Sequence, residues 1–97
     1  MGKQDIKLQI MALENLKREV ENLIKDIETR ANNYVISVQS LMQQNLDVNV
    51  AQQYKSQYWQ QNNVMMVQLR DRLKNYDLPY IERCIVGAQA AEASYND

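Results

Sequence analysis

The sequence predicts an all-α protein, an antiparallel two-helix hairpin that dimerises into a four-helix bundle. Apolar residues recur at helical spacing in both halves of the chain, and an alternation of period two never occurs. The 97 residues include only two glycines and one proline, which leaves little material for hairpin turns of a sheet. We expect one domain, and because a two-helix hairpin cannot cover a broad apolar face alone, we expect a second chain to complete it.

The first helix is expected over about residues 4–44. Its apolar residues follow one another at steps of three or four, and neither glycine nor proline interrupts them. They are Ile6, Ile10, Leu13, Leu16, Val20, Leu23, Ile27, Ala31, Tyr34, Val38 and Leu41. At ~1.5 Å per residue such a helix spans roughly 60 Å, too long for a compact globule of this size, which favours a hairpin.

A loop is expected at residues 45–49. Asn45 is suited to the left-handed conformation that ends a helix, and Asp47 or Asn49 can cap the next helix. A short loop between two long helices produces an antiparallel pair. The alternative is one continuous helix through this stretch.

The second helix is expected over about residues 50–77, with an apolar stripe that is less regular and more aromatic than the first. Pro79 leaves two interpretations open. Either Asp77 caps a short C-terminal helix over about residues 79–92, or Pro79 kinks one continuous helix. Residues 93–97 are expected to form a tail.

The charges are balanced in number but uneven in position. Eleven basic and twelve acidic residues give a net charge of -1, which argues against non-specific nucleic-acid binding. Residues 31–69 contain only two charged residues, Asp47 and Lys55, and are rich in Gln, Asn, Tyr, Met and Val. Such depletion of charge with enrichment in Tyr, Trp and Met is typical of a contact surface. The alternative is a helix that water solvates through its amides.

A protein interface is therefore predicted near the turn of the hairpin. Its candidate residues are Val38, Leu41, Tyr54, Tyr58, Trp59, Met65 and Met66. Tyr54 and Tyr58 share a helix face because they are four residues apart, and Trp59 lies at its edge. Tyr and Trp are good anchors because they bury a large area at low cost in conformational entropy. The alternative is that these residues form an internal core.

No catalytic, cofactor or metal site is predicted, and the protein is not expected to be an enzyme. The chain has no histidine and one cysteine, which excludes a His-based triad, a zinc finger and a disulfide framework. Cys84 stands among apolar residues at helical spacing and is interpreted as a small buried hydrophobe. The basic cluster of Arg70, Arg72 and Lys74 is interpreted as a solvated face, because acidic residues balance the charge.

The N-terminus suggests synthesis in the cytoplasm. It has no apolar segment of the kind that a cleaved signal peptide requires. No run of roughly 18 apolar residues occurs, so membrane insertion is not expected. Export by a route that accepts folded proteins stays open.

Two long helices around a short central loop resemble the WXG-like (ESAT-like) small proteins of type VII secretion. Ala51, Tyr54 and the pair Tyr58-Trp59 are similar to the small and aromatic residues with which the second helix of that family often opens. The Trp-x-Gly signature is absent from residues 45–49, and Trp59 lies downstream of them.

This resemblance implies a non-enzymatic protein that pairs as a homodimer, or as a heterodimer with a larger helical toxin of the LXG type. It implies export by a type VII system, either as a substrate or as the targeting partner of that toxin. The alternative function is an intracellular coiled-coil adaptor or a structural assembly subunit. Neither function calls for nucleic acid or a cofactor.

Overall fold

The computed structural model describes residues 2–44 and 48–95. These residues contain helices and no strand, so the all-α prediction is confirmed. In chain order the elements are α1 (Lys3–Gln43), α2 (Val48–Tyr54), a first π-turn (Lys55–Trp59), α3 (Gln60–Arg72), a second π-turn (Leu73–Asp77) and α4 (Leu78–Ala93). The chain forms two compact units, unit 1 with residues 1–24 and 72–97 and unit 2 with residues 25–71.

Helix α1 matches the predicted first helix to within one residue at each end. Near its start the amide of Gly2 donates to Asp5 Oδ2 at 3.1 Å, and this acidic side chain suits the positive end of the helix dipole. At its end the Gln44 amide donates to the carbonyls of Ser40 and Leu41. The long uninterrupted apolar spacing was therefore a reliable signal for this element.

Unit 2 shows that the chain is a helical hairpin. The hydroxyl groups of Tyr34 and Tyr54 are 2.5 Å apart although 20 residues separate them. One continuous helix would place them about 30 Å apart at ~1.5 Å per residue, so the continuous-helix alternative is wrong. Of the predicted loop, residues 45–47 lie outside the described residues, while residues 48 and 49 belong to α2.

The two segments of unit 2 run antiparallel. Tyr34 bonds to Asn62, whereas the later residue Val38 lines the same cavity as the earlier residue Trp59. The core of unit 2 is small. Among the residues described in this unit, only Val38 and Ala51 are buried apolar residues. Half-buried side chains and the polar contacts of Tyr34 add to this small core.

Unit 1 has the larger core. Its buried side chains are Ile6, Val20 and Ile24 of α1, Leu73 of the second π-turn, and Ile81 and Ile85 of α4. Ile81 and Ile85 are four residues apart and therefore share one face of α4. Lys17 Nζ lies 3.8 Å from Glu82 Oε1, a half-exposed pair of the kind that contributes about 0–1 kcal/mol.

Pro79 is accommodated within helical backbone. The Leu78 amide donates to the Leu73 carbonyl, five residues back, and both Asp77 and Leu78 have right-handed helical dihedral angles. In a regular α-helix the proline ring would collide with the carbonyl of Asn75, and the wider π-turn relieves this crowding. The Asp77 side chain makes no capping hydrogen bond. The helical backbone therefore continues through Pro79, and the chain does not begin a new helix that Asp77 caps.

No helix within the described ranges combines the length and the apolar character needed to cross a membrane.

Candidate protein interface

Tyr34 connects three segments of unit 2. Its hydroxyl lies 2.5 Å from the Tyr54 hydroxyl on α2, and the Asn62 side-chain amide on α3 donates to it at 3.1 Å. The rings of Tyr34 and Tyr54 also meet edge to face, with centroids 6.4 Å apart and planes at 72°. Such arrangements are favoured by the quadrupole of aromatic rings. This network fixes the register of α1 against α2 and α3.

Tyr54 and Tyr58 form a stack that leads from this network to the surface. Their ring centroids are 5.6 Å apart and their planes are inclined by 26°. Tyr58 is 57% exposed, so its outer face is open to a partner. The hydrogen bond with Tyr34 raises the pKa of Tyr54 above its ordinary value, and partial burial and the charge of Tyr34 add to the shift.

The first π-turn brings Lys55 and Trp59 to a common cavity. The Gln60 amide donates to the Lys55 carbonyl, five residues back, which widens the turn. The cavity has a volume of about 90 Å³. It is lined by Val35, Val38, Gln39, Met42, Lys55 and Trp59. The Trp59 indole nitrogen is buried and has no hydrogen-bond partner among the described residues.

An exposed, uncharged face lies on the first π-turn and α3; we call it the neutral face. It consists of Ser56, Tyr58, Gln60, Gln61, Val64, Met65 and Leu69, and residues 56–69 contain no charged side chain. Five of these residues, Ser56, Gln60, Gln61, Val64 and Met65, line an open groove of about 470 Å³. Met65 is 64% exposed and Leu69 is 48% exposed, so this face presents large apolar side chains at the surface.

All seven predicted interface residues belong to unit 2, and the structure divides them between inside and outside. Val38 is only 6% exposed and belongs to the core of the hairpin. Tyr54, Trp59 and Met66 are half-buried, whereas Leu41, Tyr58 and Met65 are exposed. Tyr58 and Met65 lie on the neutral face, and the other exposed residue, Leu41, lies on α1.

Sequence reasoning missed several residues of this site. Val64 and Leu69 are exposed beside Met65, and the spacing of four between Met65 and Leu69 was a signal that could have revealed the latter. Gln39 and Lys55 line the cavity with Trp59, a grouping that depends on contacts between segments. A spacing of four could have placed Lys55 beside Trp59, but no spacing rule within one helix could have added Gln39.

The remaining candidate chemistry lies in or beside unit 1. Cys84 is a free, half-buried thiol on α4. Within the basic cluster, on α3, Arg70 Nη2 lies 3.0 Å from Asp71 Oδ1. On α4, the Arg83 guanidinium lies 5.9 Å from the centroid of the Tyr80 ring. Over residues 2–44 and 48–95, no three His, Cys, Asp or Glu side chains are grouped to hold a metal ion.

Comparison with known proteins identifies no relative. No family model matches this sequence, and no match was found among curated proteins or among solved structures. These comparisons do not bear on the WXG-like resemblance, and function has to be argued from the geometry of the molecule.

Proposed function

We propose that this chain is a non-enzymatic helical interaction protein that pairs with a second copy of itself through the neutral face of unit 2, forming a four-helix bundle. The observation that supports this proposal most directly is the imbalance of unit 2. Two of its described apolar residues are buried, whereas eight large ones are exposed: Ile36, Leu41, Val50, Tyr58, Val64, Met65, Val67 and Leu69. Four of these, Tyr58, Val64, Met65 and Leu69, lie on the neutral face, and burial of such a side chain is worth about 1.5–3 kcal/mol relative to leaving it exposed.

The absence of charge on the neutral face favours a second copy as the partner. In a two-fold dimer each residue faces residues of the same surface patch. A patch of one sign would repel its own copy, and a patch of neutral amides and apolar side chains carries no such penalty. Tyr58 and Met65 supply the aromatic and flexible contacts that are common at interface centres.

The experiment is a pair of matched substitutions, Met65→Glu on the neutral face and Met11→Glu on unit 1. The two methionines have similar exposure, 64% and 59%, so the substitution is the same in chemistry and setting. We expect the wild-type chain to have the mass of a dimer in light scattering after size-exclusion chromatography. Met65→Glu should weaken association by about tenfold or more, because it places a charge where the proposed dimer would bury an apolar side chain.

Met11→Glu should leave the dimer intact. A monomeric wild-type chain at every concentration would refute pairing with a second copy and would direct the search to a different helical protein. Equal effects of both substitutions would show that the neutral face is not the contact surface.

A narrower role within this proposal is the one that the WXG-like resemblance implies, a type VII secretion substrate or the targeting partner of an LXG-type toxin. The small and aromatic opening of the second helix supports it. A gene for such a toxin or for a secretion ATPase beside this gene would favour this role. Assembly of the purified chain into filaments or larger particles would favour the alternative, an intracellular coiled-coil adaptor or structural subunit.

A further inference from the structure

The cavity between α1 and the first π-turn is a candidate binding site of limited size. Its volume of about 90 Å³ corresponds to roughly three water molecules at ~30 Å³ each. Sites for drug-sized ligands are several times larger, at about 300–1,000 Å³. The occupant of this cavity is therefore a small group.

The Trp59 side chain lines this cavity, and its indole N–H requires an acceptor. Its nitrogen is buried, and no acceptor is within hydrogen-bond distance among the residues that the structure describes. A buried donor without a partner costs about 1–3 kcal/mol, and folded proteins leave few such groups unsatisfied. An acceptor group bound in the cavity beside Trp59 would satisfy this donor.

Lys55 indicates that the acceptor is anionic. It is half-buried, it lines the same cavity, and it forms no ion pair within the described part of the chain. It is also the sole basic residue between positions 31 and 69. A hydrogen bond from a charged donor to a carboxylate is roughly twice as strong as one between neutral groups.

The spacing of these two donors explains why they occur together. Lys55 and Trp59 are the first and last residues of the first π-turn, and because they are four residues apart they share one helix face and line one cavity. The Gln39 amide on α1 adds a third polar group on the opposite segment. Single π-turns are rare in proteins overall, and those that occur often lie at functional sites.

We propose that this cavity binds one carboxylate group, with the Trp59 indole N–H and the Lys55 ammonium as its donors. The carboxylate can belong to a free small acid or to an acidic side chain of a docked protein. The lining of this site shares no residue with the neutral face, so substitutions can address the two surfaces one at a time.

Trp59 reports on the cavity without interference because it is the single tryptophan of the chain. The experiment follows its fluorescence while sodium acetate is added, with acetamide at equal concentration and sodium chloride at equal ionic strength as controls. We expect a saturable change in emission with acetate and none with either control. Lys55→Met should raise the acetate dissociation constant at least tenfold, whereas Lys55→Arg, which keeps the charge, should retain binding.

A second titration uses glutamate blocked at both its amino and α-carboxyl groups. Binding of this probe supports an acidic protein side chain as the natural occupant, and binding of acetate alone supports a free acid. An equal response to acetamide, no response to either carboxylate, or an unchanged acetate affinity in Lys55→Met with wild-type helicity would overturn the proposal. The dimer mass is measured on the same samples. It tests self-association through the neutral face separately from carboxylate binding.

Discussion

One hydroxyl group, that of Tyr34, holds together three segments of unit 2. It bonds to Tyr54 and Asn62, and its ring packs against that of Tyr54. A thin apolar core is non-directional and would tolerate a shift of register. Polar bonds with defined geometry do not tolerate such a shift, so this network specifies which turns of α1 meet α2 and α3.

The Tyr34–Tyr54 bond gives unit 2 a characteristic response to alkaline pH. The pKa of Tyr54 is raised in the folded chain, chiefly by its hydrogen bond with Tyr34, so the fold favours the protonated phenol. The stabilisation is therefore fully present below the unfolded pKa and is lost as pH rises through the folded value. We expect one of the six tyrosines to ionise later than the others in a titration followed by tyrosinate absorbance.

Tyr34→Phe should remove this delayed ionisation and return the pKa of Tyr54 toward its ordinary value. It should also lower the free energy of unfolding, because the hydrogen bonds of the Tyr34 hydroxyl group are lost. Tyr80→Phe is the matched control, because Tyr80 is exposed and its ring still faces Arg83. A late-ionising tyrosine that persists in Tyr34→Phe would contradict this explanation.

At the scale of elements, the two π-turns explain why the apolar stripe of the second half is irregular in sequence. Each π-turn contains bonds from residue i to residue i+5, so the side chains that follow are rotated relative to a continuous α-helix. The apolar residues must change their spacing to stay on the buried side, as Leu73 and Ile81 do on either side of Asp77. α1 contains no such turn, and its spacing is regular.

Helix α4 contains a position that can be improved. Gly87 lies within the helix at an exposed site, and an added Cβ atom would meet nothing within 4 Å. Gly87→Ala should therefore raise the free energy of unfolding by about 0.4–1 kcal/mol, because alanine loses less backbone entropy on folding. Urea denaturation monitored by circular dichroism measures this change. A loss of stability would show that another chain approaches Gly87 closely.

At the scale of the whole molecule, buried apolar residues and charges are both concentrated in unit 1. Among the described residues, unit 1 contains six of the eight buried apolar side chains and the cross-segment ion pair Lys17–Glu82. Both units expose large apolar side chains, seven in unit 1 and eight in unit 2, so unit 2 has the greater excess of exposed over buried ones. From this distribution we expect association to occur through unit 2 rather than through unit 1.

Association through an uncharged face should be insensitive to salt. Ionic screening weakens contacts between exposed charges, and residues 56–69 contain none. We expect the dimer dissociation constant, measured by analytical ultracentrifugation, to change less than about threefold between low and high salt. A steep weakening with salt would point to the charged residues of unit 1 as the contact surface.

Short-range information in the sequence was enough for the all-α class and for the bounds of α1. Helical spacing and the absence of Gly or Pro act within a few residues, and these local preferences agree with the packing along α1. The charge-depleted stretch predicts an interface, and the residues of that prediction lie in unit 2. Local rules could not decide between a capped start and a continuous helix at Pro79. Proline has no backbone N–H to donate, and both arrangements can accommodate that.

Which apolar residues are buried was decided by tertiary contacts. Val38 and Met65 both belong to apolar stripes, yet one lies in the core and the other is 64% exposed, because burial depends on what the facing segment covers. The Trp59 cavity arises in the same way, since Gln39 of α1 and Lys55 of the π-turn meet only when the segments pack. Such groupings depend on residues that are distant in the chain, and helical periodicity carries no information about them.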